Sequence, residues 1–186
     1  MQLNNLHRTL KEFGNYVVQQ SRTRLTKAKK GGSSLYKKVD FEIDPQATSI
    51  LVKFPFLQEI DYAKFVDQGV KGKNPSKISP NAKIKGQQAP MSPYKFGSGT
   101  KRGTFKKFST IMAQFAKKRN IRFRDEKGRF KAGGYKSMGY VIASNIYNRG
   151  LAPTFFFSKS FETGVDKFQE RFFLSFLQDI DDNLEL

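Results

Sequence analysis

Cations set among phenylalanines are the residues of this sequence best equipped for chemistry. Between residues 71 and 136 stand Lys71, Lys73, Lys77, Lys83, Lys85, Lys95, Lys101, Arg102, Lys106, Lys107, Arg122, Arg124, Arg129 and Lys131, with Phe105, Phe108, Phe123 and Phe130 among them. Ammonium and guanidinium groups hold phosphates or carboxylates, and aromatic faces stack on unpaired bases, so the pattern suits a polyanion or an acidic protein face. Other chemistry is thinly supplied. Cysteine is absent, which excludes disulfides and thiolate metal sites. His7 is the only histidine; with no second imidazole or thiol to join it, it reads as a helix-surface residue. Asp125 and Glu126 fall in an expected turn and are too few for a metal-dependent nuclease. Asp40, Glu42 and Asp44 alternate along an expected strand and read as its wet face. The run Gly97 to Thr104 has a phosphate loop's glycines, yet it lacks the Gly-Lys-Ser/Thr ending and no apolar strand leads into it. Neither catalysis nor a cofactor or metal is expected.

The charge is unevenly spread. Residues 1–70 hold 11 Lys and Arg against 7 Asp and Glu, residues 71–136 hold 19 against 2, and residues 137–186 hold 4 against 7. Nearly the whole formal charge of +18 therefore lies in the middle, where self-repulsion favours an extended segment awaiting a polyanion or an acidic face. Met1 to Leu10 is polar, with no apolar core of signal-peptide length, and nowhere do eighteen consecutive apolar residues occur. We expect a soluble, unsecreted protein without a membrane partner.

These residues need a frame. Leu3, Leu6, Leu10, Phe13 and Val17 step by three and four, predicting an amphipathic first helix that Leu25 extends and Gly31-Gly32 ends. Val39, Phe41 and Ile43 alternate with acids, and Ile50, Val52, Phe54 and Phe56 alternate again after a Pro45 turn, predicting an antiparallel hairpin. Tyr62, Phe65 and Val66 give one short helical turn an apolar side, and Gly69 supplies the φ > 0 that stops it. Residues 70–96, broken by Pro75, Pro80, Pro90 and Pro93, read as an extended arm. A helix follows over Phe105, Phe108, Ile111, Met112 and Phe115. Ile121 to Lys131 reads as a small hairpin turning at Gly128, with Phe123 and Phe130 packed together. Met138, Val141, Ile142, Ile146 and Tyr147 mark a helix closed by Asn148-Arg149-Gly150. After Pro153, phenylalanines from Phe157 to Phe176 recur mostly every fourth residue, predicting a long aromatic-faced helix. Its end, Asp179, Asp181, Asp182 and Glu185, is acidic where the helix dipole prefers cations. That mismatch fits a frayed tail or a seat for a basic partner, including the middle block of another copy.

The predicted fold is α+β, one domain over 1–186. Terminal amphipathic helices pack on a small antiparallel sheet, forming a core from 1–69 and 137–186, while 70–136 is a long basic insertion containing a helix and a small hairpin.

The order of these segments resembles the head-tail joining, or tail-completion, proteins of tailed bacteriophages. Gly32-Ser33-Ser34-Leu35-Tyr36-Lys37-Lys38-Val39 is similar to that family's Thr-Gly-x-Leu-x-x-Ser-Ile, with the Thr-Gly pair and the later Ser replaced. Tyr62-Ala63-Lys64-Phe65-Val66-Asp67-Gln68-Gly69 resembles its Tyr-Ala-x-x-Val-Glu-x-Gly, with Asp67 where Glu is usual. Gly150-Leu151-Ala152-Pro153-Thr154-Phe155-Phe156 resembles its Gly-x-x-Pro-x-Phe-Leu. The resemblance implies a non-catalytic virion subunit of the neck, assembled in the host cytoplasm into a ring of six or twelve copies. Its partners would be sister copies and portal or adaptor and tail proteins; the basic block would fit a sister copy, a neighbouring ring or the DNA in the channel equally well. Residues 71–136 are longer and more basic than the family's usual insertion, so their role does not carry over. A basic nucleic-acid-binding protein using that segment is the alternative reading.

Overall fold

The computed structural model describes residues 3–46, 49–78, 84–98 and 105–184. In chain order these form α1 (Asn4–Lys27), α2 (Ser34–Lys38), β1 (Glu42–Pro45), β2 (Ile50–Lys53), α3 (Phe56–Glu59), α4 (Ala63–Gln68), β3 (Val70–Lys71), a 3-10 turn (Pro75–Lys77), α5 (Phe105–Lys118), α6 (Tyr135–Arg149), β4 (Gly150–Leu151) and α7 (Ser158–Leu184). The fold is α+β: helices with two small antiparallel two-stranded sheets, β1–β2 and β3–β4. It divides into two compact units, Met1–Asp67 with Thr154–Leu186, and Gln68–Pro153. This differs from the expected single core of 1–69 with 137–186, because α6 and β4 belong with the insertion.

The first unit is built on α1 and α7. Asn5 meets Asp179 and Asp182, Thr9 Oγ1 lies 2.6 Å from Ser175 Oγ, and Glu12 pairs with Arg171. The descending partners show that the two helices run antiparallel. Beneath this polar edge Phe13 meets Phe161, Phe168 and Phe172 edge-on, with ring centroids 5.7, 5.9 and 5.4 Å apart. Burying such a ring is worth about 1.5–3 kcal/mol, and edge-to-face geometry adds about 0.5–1.5 kcal/mol. Gly164 lets the helices close: a Cβ there would lie 2.9 Å from the Phe13 ring. A second cluster of Leu25, Leu35, Val39, Phe56, Ile60, Ala63 and Phe156 fills the other end.

Several local expectations shift. The hairpin pairs Ile43 with Val52, but it is short: Val39 is buried before it begins and Phe56 starts α3. α1 stops ahead of Gly31-Gly32, where Lys29 at φ 58 turns the chain. In α4 the buried positions are Ala63 and Asp67, while Tyr62 and Phe65 are exposed. The small residue faces the core because Leu35, Phe56 and Phe156 already fill it.

The second unit is not an extended arm. α5 packs along α6 through small residues: a Cβ on Gly139 would lie 2.4 Å from the Ala113 nitrogen and 2.6 Å from the Ser109 carbonyl oxygen, and Ala116 and Ala143 are fully buried. Backbones in such close contact gain dispersion energy along their whole length. Phe96, Phe105, Phe108, Tyr140 and Tyr147 form an aromatic cluster beside them. β3 is hydrogen-bonded on both sides, to β4 and to residues 94–96, with Lys71 N–H donating to Tyr94 O at 2.8 Å and Phe96 N–H to Lys71 O at 3.0 Å. The prolines of 84–98 exclude a helix, as expected, but they leave enough free amides and carbonyls for the segment to fold back. Lysine side chains that remain in water do not prevent this.

Candidate functional site

Three places merit description: the capped start of α7, the cationic surface of the second unit and the outward face of α7. At the first, Asp67 is 4% exposed. Its Oδ1 accepts the Phe157 N–H at 2.8 Å and the Ser158 N–H at 3.3 Å, and its Oδ2 accepts the Ser158 hydroxyl. These are the free donors of a helix N-terminus, where the dipole favours a carboxylate. Phe155 adopts φ 46 to turn the chain into α7, and its N–H donates to Asp67 O at 2.8 Å. Thr154 N–H and hydroxyl both reach Val66 O.

In the second unit, Gly69 at φ 72 leaves α4, and a Cβ there would lie 2.5 Å from Leu151 O and 2.7 Å from Pro153 N. Gly150, at φ 93, would place a Cβ 2.2 Å from Val70 O. Five further residues of the three resembling segments also have structural roles. Leu35, Ala63 and Phe156 are buried, Gly32 takes φ 74 just before Ser33 caps α2, and Tyr62 Oη sits 2.6 Å from Ser34 Oγ.

The acidic end of α7 is likewise partly internal. Asp179 is 1% exposed and accepts the Asn5 and Leu6 N–H groups, each at 2.8 Å. α1 has no side-chain cap of its own, so Asp179 provides one from the far end of the chain. Expecting this residue in a frayed tail or partner seat was therefore mistaken. Sequence inspection missed both caps, and the only signal available was a first helix lacking Ser, Thr, Asp or Asn at its capping position.

The division into units also divides the charge. The first unit carries fourteen Lys and Arg and fourteen Asp and Glu, whereas the second carries twenty against two, the entire +18. Lys73, Lys77, Lys85, Lys95, Lys106, Lys107 and Lys131 are exposed, and Lys71 is half-buried in β3. Lys83, Lys101, Arg102 and most of the Gly97 to Thr104 run lie outside the described residues. The predicted hairpin is present as a single bridge, Arg124 with Phe130, turning through Gly128 at φ 78. The expected pairing of Phe123 with Phe130 is replaced by guanidinium contacts. Arg122 and Arg124 sit 5.2 and 4.5 Å from the exposed Phe130 ring centroid, while Phe123 lies against Gly133. Cation–π attraction favours this because two guanidiniums flank the one ring. Arg124, Lys127, Arg129 and Lys131 line a shallow cavity of about 370 Å³ with Asp125 and Glu126. Arg129 pairs with Asp125 at 3.4 Å.

Along α7, Phe173 and Leu174 are 61% and 56% exposed, with Phe176 and Leu177 beside them. Among the described residues no helix is long and apolar enough to cross a membrane. No family model matches the chain, and no curated protein or solved structure matches it.

Proposed function

We infer that this protein is a structural subunit of the phage neck, assembling with copies of itself into a ring that joins portal to tail. The observation that carries the reading is the outward face of α7, where large apolar side chains remain in water on a helix otherwise locked in place. Contiguous apolar surface on a soluble chain marks a partner, and a ring needs such a patch on every copy. The resemblance of three segments to head-tail joining proteins supplies the location. Their residues act as caps, turns and core, as suits motifs that maintain a scaffold. Electron microscopy and mass spectrometry of mature virions test the reading: the chain is expected in a closed neck ring of six or twelve copies, and its absence from particles overturns it.

The concentration of +18 in one unit favours a second reading, nucleic-acid binding through that unit. Phe130 already carries two guanidiniums, so contact would run through phosphates more than through stacked bases. Affinity should then be indifferent to sequence and fall steeply with salt as counterions are released. A flat salt dependence in filter binding removes this reading.

A further inference from the structure

We propose that the outward face of α7 in one copy receives the outward face of α5 in the next. This inference rests on the assembly reading and names the interface. The stripe on α7 runs Glu170, Phe173, Leu174, Leu177, Asp181, an apolar patch with a carboxylate at each end. The stripe on α5 runs Ile111, Phe115, Lys118, an apolar patch with an ammonium at its C-terminal end; Ile111 and Phe115 are 56% and 44% exposed.

Two features make these faces complementary. Positions three and four apart line one side of a helix, so each set forms a continuous ridge. Glu170 and Asp181 also flank the α7 patch at about 8 Å on either side of its middle, and Lys118 lies about as far from the middle of the α5 patch at the helical rise. When the apolar centres meet, Lys118 falls beside one of these carboxylates, whichever way the helices run. Such pairs contribute more to register and exclusion of wrong partners than to affinity. Burial of the five large apolar side chains supplies the attraction.

Because the two faces are different surfaces, the contact is head-to-tail: each copy offers one of each and pairing propagates until a ring closes. That distinguishes it from a two-fold dimer, which would stop at two copies.

The test uses full-length chains. Leu174→Glu disables the α7 face and Ile111→Glu the α5 face; both side chains are more than half exposed, and circular dichroism verifies that the variants fold. In sedimentation velocity each variant alone should lose self-association by roughly tenfold or more, since a charge is placed in an apolar contact. The equimolar mixture retains one intact pairing and should form a one-to-one dimer and nothing larger. Unaltered association of either variant, or a mixture without the dimer, overturns the proposal.

Cross-linking extends the test to weak association, because the chain has no cysteine of its own. Ile111→Cys mixed with Leu174→Cys should give a disulfide-linked dimer, whereas Met91→Cys with Leu174→Cys should not. No excess over that control at millimolar protein overturns the interface. So does a concentration-independent cross-link within one chain carrying both Ile111→Cys and Leu174→Cys. The two readings fail separately. Virion rings unaffected by Leu174→Glu and Ile111→Glu overturn the interface alone, while an intact dimer from a chain missing from virions overturns the neck assignment alone.

Discussion

Replacing Asp67 with alanine is expected to destabilise the first unit by about 1–3 kcal/mol. Loss of a helix N-cap costs about 0.5–2 kcal/mol, and leaving a buried N–H without a partner costs about 1–3 kcal/mol. Both apply, because the carboxylate takes the Phe157 and Ser158 amides and the Ser158 hydroxyl from a position 4% exposed. The two costs overlap, since the lost cap and the orphaned amide are one event seen from either side. Asp67→Asn keeps one carbonyl oxygen for the amides and is expected to cost about 1 kcal/mol. The assay is urea unfolding followed by far-ultraviolet circular dichroism at one fixed protein concentration, as self-association would otherwise shift the midpoint. Adding Ser158→Ala closes a double-mutant cycle, with an expected coupling of about 0.5–3 kcal/mol between the two side chains. If the alanine variant stays within about 0.5 kcal/mol of the parent, the ordinary range for surface substitutions, this carboxylate does not hold the start of α7.

Asp179→Ala should expose the amides of Asn5 and Leu6, costing about 1–3 kcal/mol; hydrogen exchange should quicken at those amides first, and unchanged protection there would refute the cap. Gly139→Val forces α5 and α6 apart where a Cβ already meets backbone at 2.4 Å, so a loss of about 3 kcal/mol or more is expected in thermal unfolding; a silent substitution would refute the close crossing. Lys53 donates a hydrogen bond to Asp44, and this with its charge holds the Asp44 carboxyl below its ordinary value. The folded value being the lower, the contribution is full above the ordinary aspartate value near ~3.9 and is lost as pH falls through the folded value. Lys53→Met should raise the Asp44 midpoint in an NMR titration; equal midpoints would dismiss the pair.

The amino-acid order by itself determined the elements whose signal is a repeating face. Leucines and phenylalanines every third or fourth residue mark α1 and α7 because a helix returns to the same side after 3.6 residues. Alternation marks β1 and β2 for the corresponding reason at period two. Gly69 and Gly150 were legible as stops because left-handed backbone favours glycine. The concentration of charge was legible from counting alone.

Tertiary structure decided what no local pattern encodes. Asp67 lies 90 residues before the amide it caps, and Asp179 lies 174 residues beyond Asn5. A carboxylate's sequence neighbours say nothing about which distant donor it will meet. Gly139, Ala143 and Ala116 were invisible to a search for large apolar residues, although their smallness brings α5 against α6 and makes the basic segment a compact unit instead of an arm. The outward faces of α5 and α7 emerged only after folding, because a hydrophobic stripe reads the same in sequence whether its own chain covers it or leaves it in water. Periodicity reports that a side is apolar, whereas exposure depends on every other element competing for the same core.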